Sequence, residues 1–184
     1  MHTPGGDLIS SDAIYKCLLK HKGKITAYIP QYCYSGGMLI ALACDEIIMG
    51  KNAFVGPCDV QLKDKNNSVF GSDYTSRDVI EKVIMEKKKL GQKVTEEWLA
   101  QGFEAEKIKE VQKNMVKKLL SSKENKNKYS EDAIDKIYNE LFSGKYPHCH
   151  NFDYNDIQKI GINVKVDDMP NYIKNIFYIK LNKI

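Results

Sequence analysis

The sequence predicts an α/β fold over its first half and a largely helical second half. A short apolar strand, a helix of small apolar residues and a second apolar strand follow one another closely between residues 25 and 49. Strands joined by a helix at this spacing form a βαβ unit with parallel strands. From residue 76 onward the pattern changes to charged, amphipathic helices. We therefore expect an α/β core over residues 1–75 and a helical remainder of the same domain over residues 76–184.

Composition and charge exclude several classes of protein. The 184 residues are 42% hydrophobic and 28% charged, which is typical of a globular protein and not of a collagen-like, disordered or coiled-coil chain. The longest apolar run, residues 36–44, falls well short of the ~20 residues that a transmembrane helix needs. The net charge is +4, and lysines alternate with glutamates between residues 82 and 128. This is typical of solvated helix faces, so we expect no nucleic-acid partner.

The individual elements follow from apolar spacing and from turn residues. In the first half we predict a helix over 7–21, a strand over 25–29, a buried helix over 35–44 and a strand over 46–49. In the second half we predict helices over 76–90, 95–120 and 130–141, with a solvated linker over 123–128. Asp153 and Asp156 can cap a last helix that ends before Gly161. The tail from Val164 is predicted to be extended and then weakly helical.

The five cysteines show no disulfide or zinc pattern. Their number is odd and no C-x-x-C spacing occurs. Free thiols of this kind are typical of a protein from a reducing compartment.

Two glycine-rich segments stand out as candidates for chemistry. Residues 3–6 (TPGG) precede a helix, and their amides can point at a ligand without a side chain in the way. Residues 34–37 (YSGG) follow a strand and open the buried helix, which places the Ser35 hydroxyl at a helix N-terminus. A serine nucleophile and a separate pair of backbone donors are two of the three parts of an acyl-transfer site. The structural alternative is that Ser35 only caps the helix and the glycines only form turns.

Four segments together resemble a known peptidase family. They read HTPGGDLISSDAI, IPQYCYSGGMLIALACDEIIMG, VGPCDVQL and GKYPHCHNFDYNDIQKIGINVKVDDMP. They resemble the serine dehydrogenase proteinases, relatives of signal peptide peptidase A and of the Clp protease proteolytic subunit. The resemblance is specific over residues 2–62 and 144–170 and loose between them.

The resemblance implies a Clp/crotonase-like fold of superhelical βαβ units and peptidase activity. It carries the nucleophile onto Ser35 and the oxyanion donors onto Gly5, Gly6 and Gly36. It also implies a homo-oligomer, and residues 1–75 as the catalytic part of the domain. No cofactor is expected, because no G-x-G-x-x-G follows a strand.

The sequence departs from the family pattern in three places. The family's SGGT reads SGGM at residues 35–38, and its VDPQ reads CDVQ at residues 58–61. The chain also begins at the first glycine-rich segment, whereas members carry a hydrophobic segment and further strands before it. We therefore expect the first strands of the fold to be missing from this chain. We also expect a soluble chain, with membrane attachment only through the absent segment and a cytoplasmic or membrane-associated location in full-length relatives.

The general base has three candidates. A lysine base needs burial, which lets it be neutral near pH 7. On the predicted helix 76–90, Lys87 falls in the middle of the apolar arc, whereas Lys82 and Lys88 fall outside it. Lys87 is therefore our first choice, in a Ser–Lys dyad such as the signal peptide peptidase relatives use. A lysine that extends past an apolar stripe into solvent is the structural alternative.

Asp59 and His148 are the other candidate bases. Asp59 lies about where Clp-type enzymes have their histidine, and His148 lies on the family-like GKYPH stretch. A loop-capping aspartate and a structural histidine are the corresponding alternatives. The spacing of His148, Cys149 and His150 is unlike the usual zinc patterns, so we expect no metal site.

These observations favour a serine peptidase that acts on a peptide or protein substrate. Ser35 would attack the carbonyl, a base would take its proton, and the glycine amides would hold the oxyanion. A crotonase-type acyl-CoA enzyme uses a similar pair of amides but does not need the serine. A truncated or degenerate relative that serves as a non-catalytic oligomer scaffold is the third hypothesis.

Overall fold

The computed structural model describes residues 1–63, 74–122, 129–167, 170–173 and 175. The helices are α1 (Leu8–Leu19), α2 (Gly36–Ala41), α3 (Arg77–Lys89), α4 (Glu96–Leu120), α5 (Glu131–Ile137), a π-helical turn (Tyr138–Phe142) and α6 (Tyr154–Ile160). The strands are β1 (Thr26–Ile29), β2 (Tyr32–Cys33), β3 (Glu46–Met49), β4 (Phe54–Val55), β5 (Gln61–Lys63), β6 (Tyr74–Ser76) and β7 (Val164–Val166). The protein is therefore mixed α/β, as the sequence predicts.

A parallel three-stranded sheet organises the described part of the chain. Its strand order is β1-β3-β7, and every neighbouring pair is parallel. Thr26 lies opposite Glu46, and Ile47 lies opposite Val164. The predicted pair of parallel strands around a buried helix is confirmed, because α2 connects the β1 and β3 regions. Two smaller sheets, parallel β2-β4 and antiparallel β5-β6, accompany it.

The helix α2 lies inside the core. Met38, Leu39 and Ala41 have no exposed surface, and Tyr15 of α1 is equally buried. A helix that is apolar on every side is stable only when other elements surround it. Ile137 and Ile157 of the C-terminal helices belong to the same apolar cluster. The two halves of the sequence therefore share one core over the described residues.

Capping residues fix several helix ends. The side chains of Asp7, Thr95 and Ser130 accept hydrogen bonds from the first turns of α1, α4 and α5. The predicted cap of the last helix is confirmed, because Asp153 and Asp156 form a reciprocal capping box at α6. Gly161 ends α6 at φ 108°, a left-handed conformation that glycine adopts without strain.

The short elements were not predicted. The strands β2, β4, β5 and β6 have two or three residues each, too few to show a periodic pattern. The predicted helix 130–141 is α5 followed by the π-helical turn. The predicted linker 123–128 and most of the predicted tail lie outside the described residues. No helix in the described part of the chain is long and apolar enough to cross a membrane.

The cysteines give a first test of the core. Cys17 and Cys149 are exposed, whereas Cys33, Cys44 and Cys58 are buried. Burial raises the pKa of Cys33 to about 12 and that of Cys44 to about 11, and it also raises the pKa of Cys58. These three thiols therefore stay protonated near neutral pH and do not react as thiolates.

We expect a disulfide reagent such as dithiobis(nitrobenzoate) to modify Cys17 and Cys149 rapidly in the native protein at about pH 8. All five cysteines should react after denaturation. Rapid reaction of a third thiol in the native protein would contradict this core.

Candidate active site

Four chain segments lie side by side in and around the small β2-β4 sheet. Thr3 forms a parallel bridge to Cys33 in β2, and Cys33 pairs in parallel with Val55 in β4. On the other side, Val55 forms an antiparallel bridge to Phe152. The order across this sheet is therefore Thr3, β2, β4 and Phe152.

This arrangement brings distant candidate residues to one edge. The first three segments are parallel, so the residues that follow each of them lie at the same edge. Phe152 runs antiparallel, so the residues that precede it reach that edge as well. Gly6, Ser35, Asp59 and His148 accordingly line one cleft of about 1000 Å³. We call it the Ser35 cleft.

Ser35 has an unusual backbone conformation. It follows β2, immediately precedes α2, and has φ 49° and ψ −127°. It has the one positive φ of a non-glycine residue in the described part of the chain. Such a conformation costs about 1–3 kcal/mol and persists where the surrounding structure imposes it, often at functional sites. The Ser35 side chain makes no capping hydrogen bond to α2, so the predicted alternative of an ordinary helix cap does not describe it.

The glycines of the two motifs permit close packing around Ser35. A Cβ on Gly5 would lie 2.7 Å from Ser35 Cβ, and Gly5 itself has φ 111°. A Cβ on Gly36 would lie 2.1 Å from the hydroxyl oxygen of Ser11, a buried residue of α1. The absence of these side chains lets α1, α2 and the loop before α1 approach one another closely.

The backbone amides near Ser35 differ in whether they already donate a hydrogen bond. The Gly5 amide donates to Thr3 Oγ1 at 3.0 Å, and the Gly37 amide donates to the Tyr34 carbonyl at 2.9 Å. Neither the Gly6 amide nor the Gly36 amide donates to an acceptor among the described residues. Both residues line the Ser35 cleft. Of the three amides expected to hold an oxyanion, Gly6 and Gly36 are thus available and Gly5 is engaged.

Asp59 and His148 form a hydrogen-bonded pair in the Ser35 cleft. His148 Nδ1 lies 2.6 Å from Asp59 Oδ1 although 89 residues separate them in sequence. The Asp59 side chain is 2% exposed, whereas that of His148 is 37% exposed. Gln61 Nε2 donates to the other oxygen of Asp59 at 2.5 Å. An ionised aspartate on Nδ1 leaves His148 Nε2 as the ring nitrogen available to another group.

Several hydrogen bonds hold the loop that carries Asp59. The Ser35 amide donates to the Pro57 carbonyl at 3.1 Å, which ties the nucleophile candidate to this loop. The Cys58 amide donates to the Leu141 carbonyl at 2.6 Å. From α4, the fully buried Gln112 donates its Nε2 to the Cys58 carbonyl at 3.0 Å. The position of Asp59 is therefore fixed by elements from both halves of the chain.

Lys87, the first candidate for the base, lies outside the Ser35 cleft. It is half-buried on α3, which packs against α4 and β6. His150 does not line the Ser35 cleft either, and its ring stacks on Tyr146 with centroids 4.5 Å apart.

Tyr34 and Asn151 complete one wall of the cleft. The Tyr34 hydroxyl hydrogen-bonds to Asn151 Oδ1, and both residues line the Ser35 cleft. A Cβ on Gly56 would lie 1.8 Å from the Tyr34 ring, so only glycine at this position leaves room for the ring. Gln61, Gln112 and Asn151 were not predicted as site residues. Gln61 could have been noticed as the last residue of the family-like CDVQ motif, whereas no local pattern marks the other two.

Serine, histidine and aspartate in one cleft with two available amides are the components of an acyl-transfer site. The chain order here is Ser35, Asp59, His148. Such sites are recognised by geometry and by the role of each residue, not by their order in the sequence.

The sequence of this chain is similar to sequences of known proteins. The chain is 34% identical over 167 residues to the uncharacterized protein MJ1495 of Methanocaldococcus jannaschii, which covers 91% of this chain and 51% of the relative. It is 30% identical over 164 residues to the uncharacterized protein MJ0137 of the same organism, which covers 89% of this chain and 51% of the relative. The chain thus spans about half the length of these relatives. A model of the ClpP-like SDH-type serine proteinases matches residues 1–180, and the chain belongs to that family.

Proposed function

We propose that this chain carries a serine peptidase site in which Ser35 is the nucleophile and His148 is the general base. Asp59 orients the imidazole and stabilises its protonated form. The observation that carries the proposal is the 2.6 Å contact between His148 Nδ1 and the buried Asp59 carboxylate, in the cleft that Ser35 also lines.

The mechanism assigns one role to each group. Ser35 Oγ attacks the carbonyl carbon of a peptide bond while His148 Nε2 accepts the hydroxyl proton. The carbonyl oxygen becomes an oxyanion, to which the Gly6 and Gly36 amides donate. His148 then gives its proton to the leaving amine, and the acyl group remains on Ser35. A water molecule that is deprotonated by His148 releases the product acid and restores the enzyme.

Gly5 has a different role in this proposal. Its amide already donates to Thr3 Oγ1, so its contribution is the space that it leaves beside Ser35. We also propose a Clp/crotonase-like superhelix and a homo-oligomeric assembly. Family membership supports them. Residues 1–75 contribute the proposed nucleophile, the aspartate and the oxyanion amides, whereas His148 comes from the second half of the chain.

The test is covalent labelling of the purified protein with a fluorophosphonate, followed by intact-mass measurement. Ser35 Oγ displaces fluoride from phosphorus, and we expect one adduct per chain, mapped to Ser35. The Ser35→Ala variant should give none, while the control Ser121→Ala, at an exposed helix cap, should label like the wild type. Hydrolysis of a peptide library by the labelled and unlabelled protein then tests peptidase activity itself.

Two results would reject the proposal. Absence of an adduct from folded protein would favour the non-catalytic scaffold. A Ser35 adduct together with thioester turnover but no peptide hydrolysis would favour the acyl-CoA enzyme.

A further inference from the structure

Both oxygens of the buried Asp59 carboxylate have hydrogen-bond partners. Its side chain is 2% exposed. One oxygen meets His148 Nδ1 at 2.6 Å, and the other accepts from Gln61 Nε2 at 2.5 Å. Its ion pairs in the described part of the chain include no lysine or arginine. A buried charged group is costly unless its atoms are hydrogen-bonded, so the Gln61 amide compensates for the lost water at Oδ2.

Gln61 also fixes the rotation of the carboxylate. The last torsion of an aspartate side chain is soft and broad, so the chain alone does not determine which oxygen faces which partner. A donor on Oδ2 restricts that rotation and directs Oδ1 to His148. Gln61 can act this way because its backbone belongs to β5, where it pairs with Ser76 of β6.

The orientation of the Asp59 carboxylate also determines the state of the His148 imidazole. A carboxylate held against Nδ1 keeps the proton on that nitrogen and leaves Nε2 free to accept one. The hydrogen bond that one ring nitrogen makes commonly decides the tautomer of a functional histidine. The half-buried Gln61 side chain lines the same cleft as Ser35 and His148.

We propose that Gln61 is a positioning residue, which holds Asp59 and through it fixes the tautomer and direction of the His148 ring. This inference rests on the proposed function for its effect on rate. Its effect on the ring does not need any activity.

Two substitutions distinguish the effect of the Gln61 hydrogen-bond donor from the effect of the size and shape of its side chain. Gln61→Met keeps the length and removes the donor, while Gln61→Glu is nearly isosteric and places an acceptor against Asp59. A hydrogen bond to a charged group is worth enough that we expect Ser35 labelling by a fluorophosphonate to slow about 10- to 100-fold in Gln61→Met. Gln61→Glu should be slower still. The control Gln92→Met, at an exposed position after α3, should label at the wild-type rate.

The decisive readout is the tautomer of His148 in substrate-free protein, measured by nitrogen-15 NMR of histidine-labelled samples. The chain has four histidines, and His148→Gln assigns the signal. We expect the wild type and Gln92→Met to carry the proton on Nδ1. Gln61→Met should show a mixture of tautomers, or ring exchange, while its other histidine signals stay unchanged. A purely structural role would alter several signals together, and contact with substrate alone would leave the tautomer unchanged.

The outcomes distinguish this inference from the proposed function. If wild-type Ser35 is labelled and Gln61→Met has the wild-type tautomer and rate, the role of Gln61 is refuted and the peptidase site stands. If wild-type Ser35 is not labelled, the proposed function fails. The tautomer measurement then still supports or overturns the positioning of His148 by Gln61.

Discussion

Replacing His148 by Gln should slow acylation of Ser35 by about 10²- to 10⁴-fold, the usual contribution of a general base. Glutamine keeps a polar side chain next to Asp59 but cannot accept the serine proton. Lys87→Met should label at close to the wild-type rate, because Lys87 does not line the Ser35 cleft. The measurement is the rate of fluorophosphonate labelling, followed by intact mass.

Folding must be shown to be intact in both variants. The thermal unfolding midpoint and the accessibility of Cys17 and Cys149 provide that control, since both thiols are exposed in the native protein. A large loss of rate in a folded Lys87→Met variant, with His148→Gln unaffected, would overturn the assignment of the base and restore the Ser–Lys dyad.

Gly5→Ala should abolish labelling and destabilise the fold, whereas Gly6→Ala should be tolerated. At φ 111° an alanine costs at least about 1–2 kcal/mol of backbone strain. Its Cβ would also lie 2.7 Å from Ser35 Cβ and 3.0 Å from the Tyr34 carbonyl oxygen, so Ser35 must move. A Cβ on Gly6 meets no atom within 4 Å, and alanine keeps the amide that is proposed to donate to the oxyanion.

The backbone strain and the clash with Ser35 can be separated by a third variant. Gly91 also has a positive φ, 64°, but a Cβ there would meet open space. Gly91→Ala should therefore cost about 1 kcal/mol of stability and leave the labelling rate unchanged. Chemical denaturation gives the free energies of unfolding. Equal labelling by Gly5→Ala and Gly6→Ala would contradict the proposed packing around Ser35.

The sequence predicted elements whose residues are close together in the chain. The β1–α2–β3 unit and the capping box of α6 depend on local spacing, and the structure has them where the patterns place them. The resemblance to the family, which is carried by short motifs such as YSGG, is likewise confirmed.

Contacts between distant residues could not be predicted in the same way. The pairing of Asp59 with His148 depends on the bridge between Val55 and Phe152. Such a bridge cannot be predicted from a strand of only two residues. Asp59 and His148 are both candidates from the sequence, but helical periodicity favours Lys87. That periodicity places Lys87 on an apolar face without showing what the face contacts. The hydrogen bond from the Gly5 amide to Thr3 Oγ1 likewise depends on the local backbone geometry, which the TPGG motif does not specify.

A crystal structure of the protein with a phosphonyl group on Ser35 is the strongest test of the proposed active site. The adduct mimics the tetrahedral intermediate, so we expect its phosphonyl oxygen to lie within about 2.7–3.1 Å of both the Gly6 and the Gly36 amide nitrogens. We also expect His148 Nε2 to face the Ser35 oxygen, with Nδ1 still in contact with Asp59. An adduct oxygen directed away from both amides, or a His148 ring released from Asp59, would contradict the proposed site.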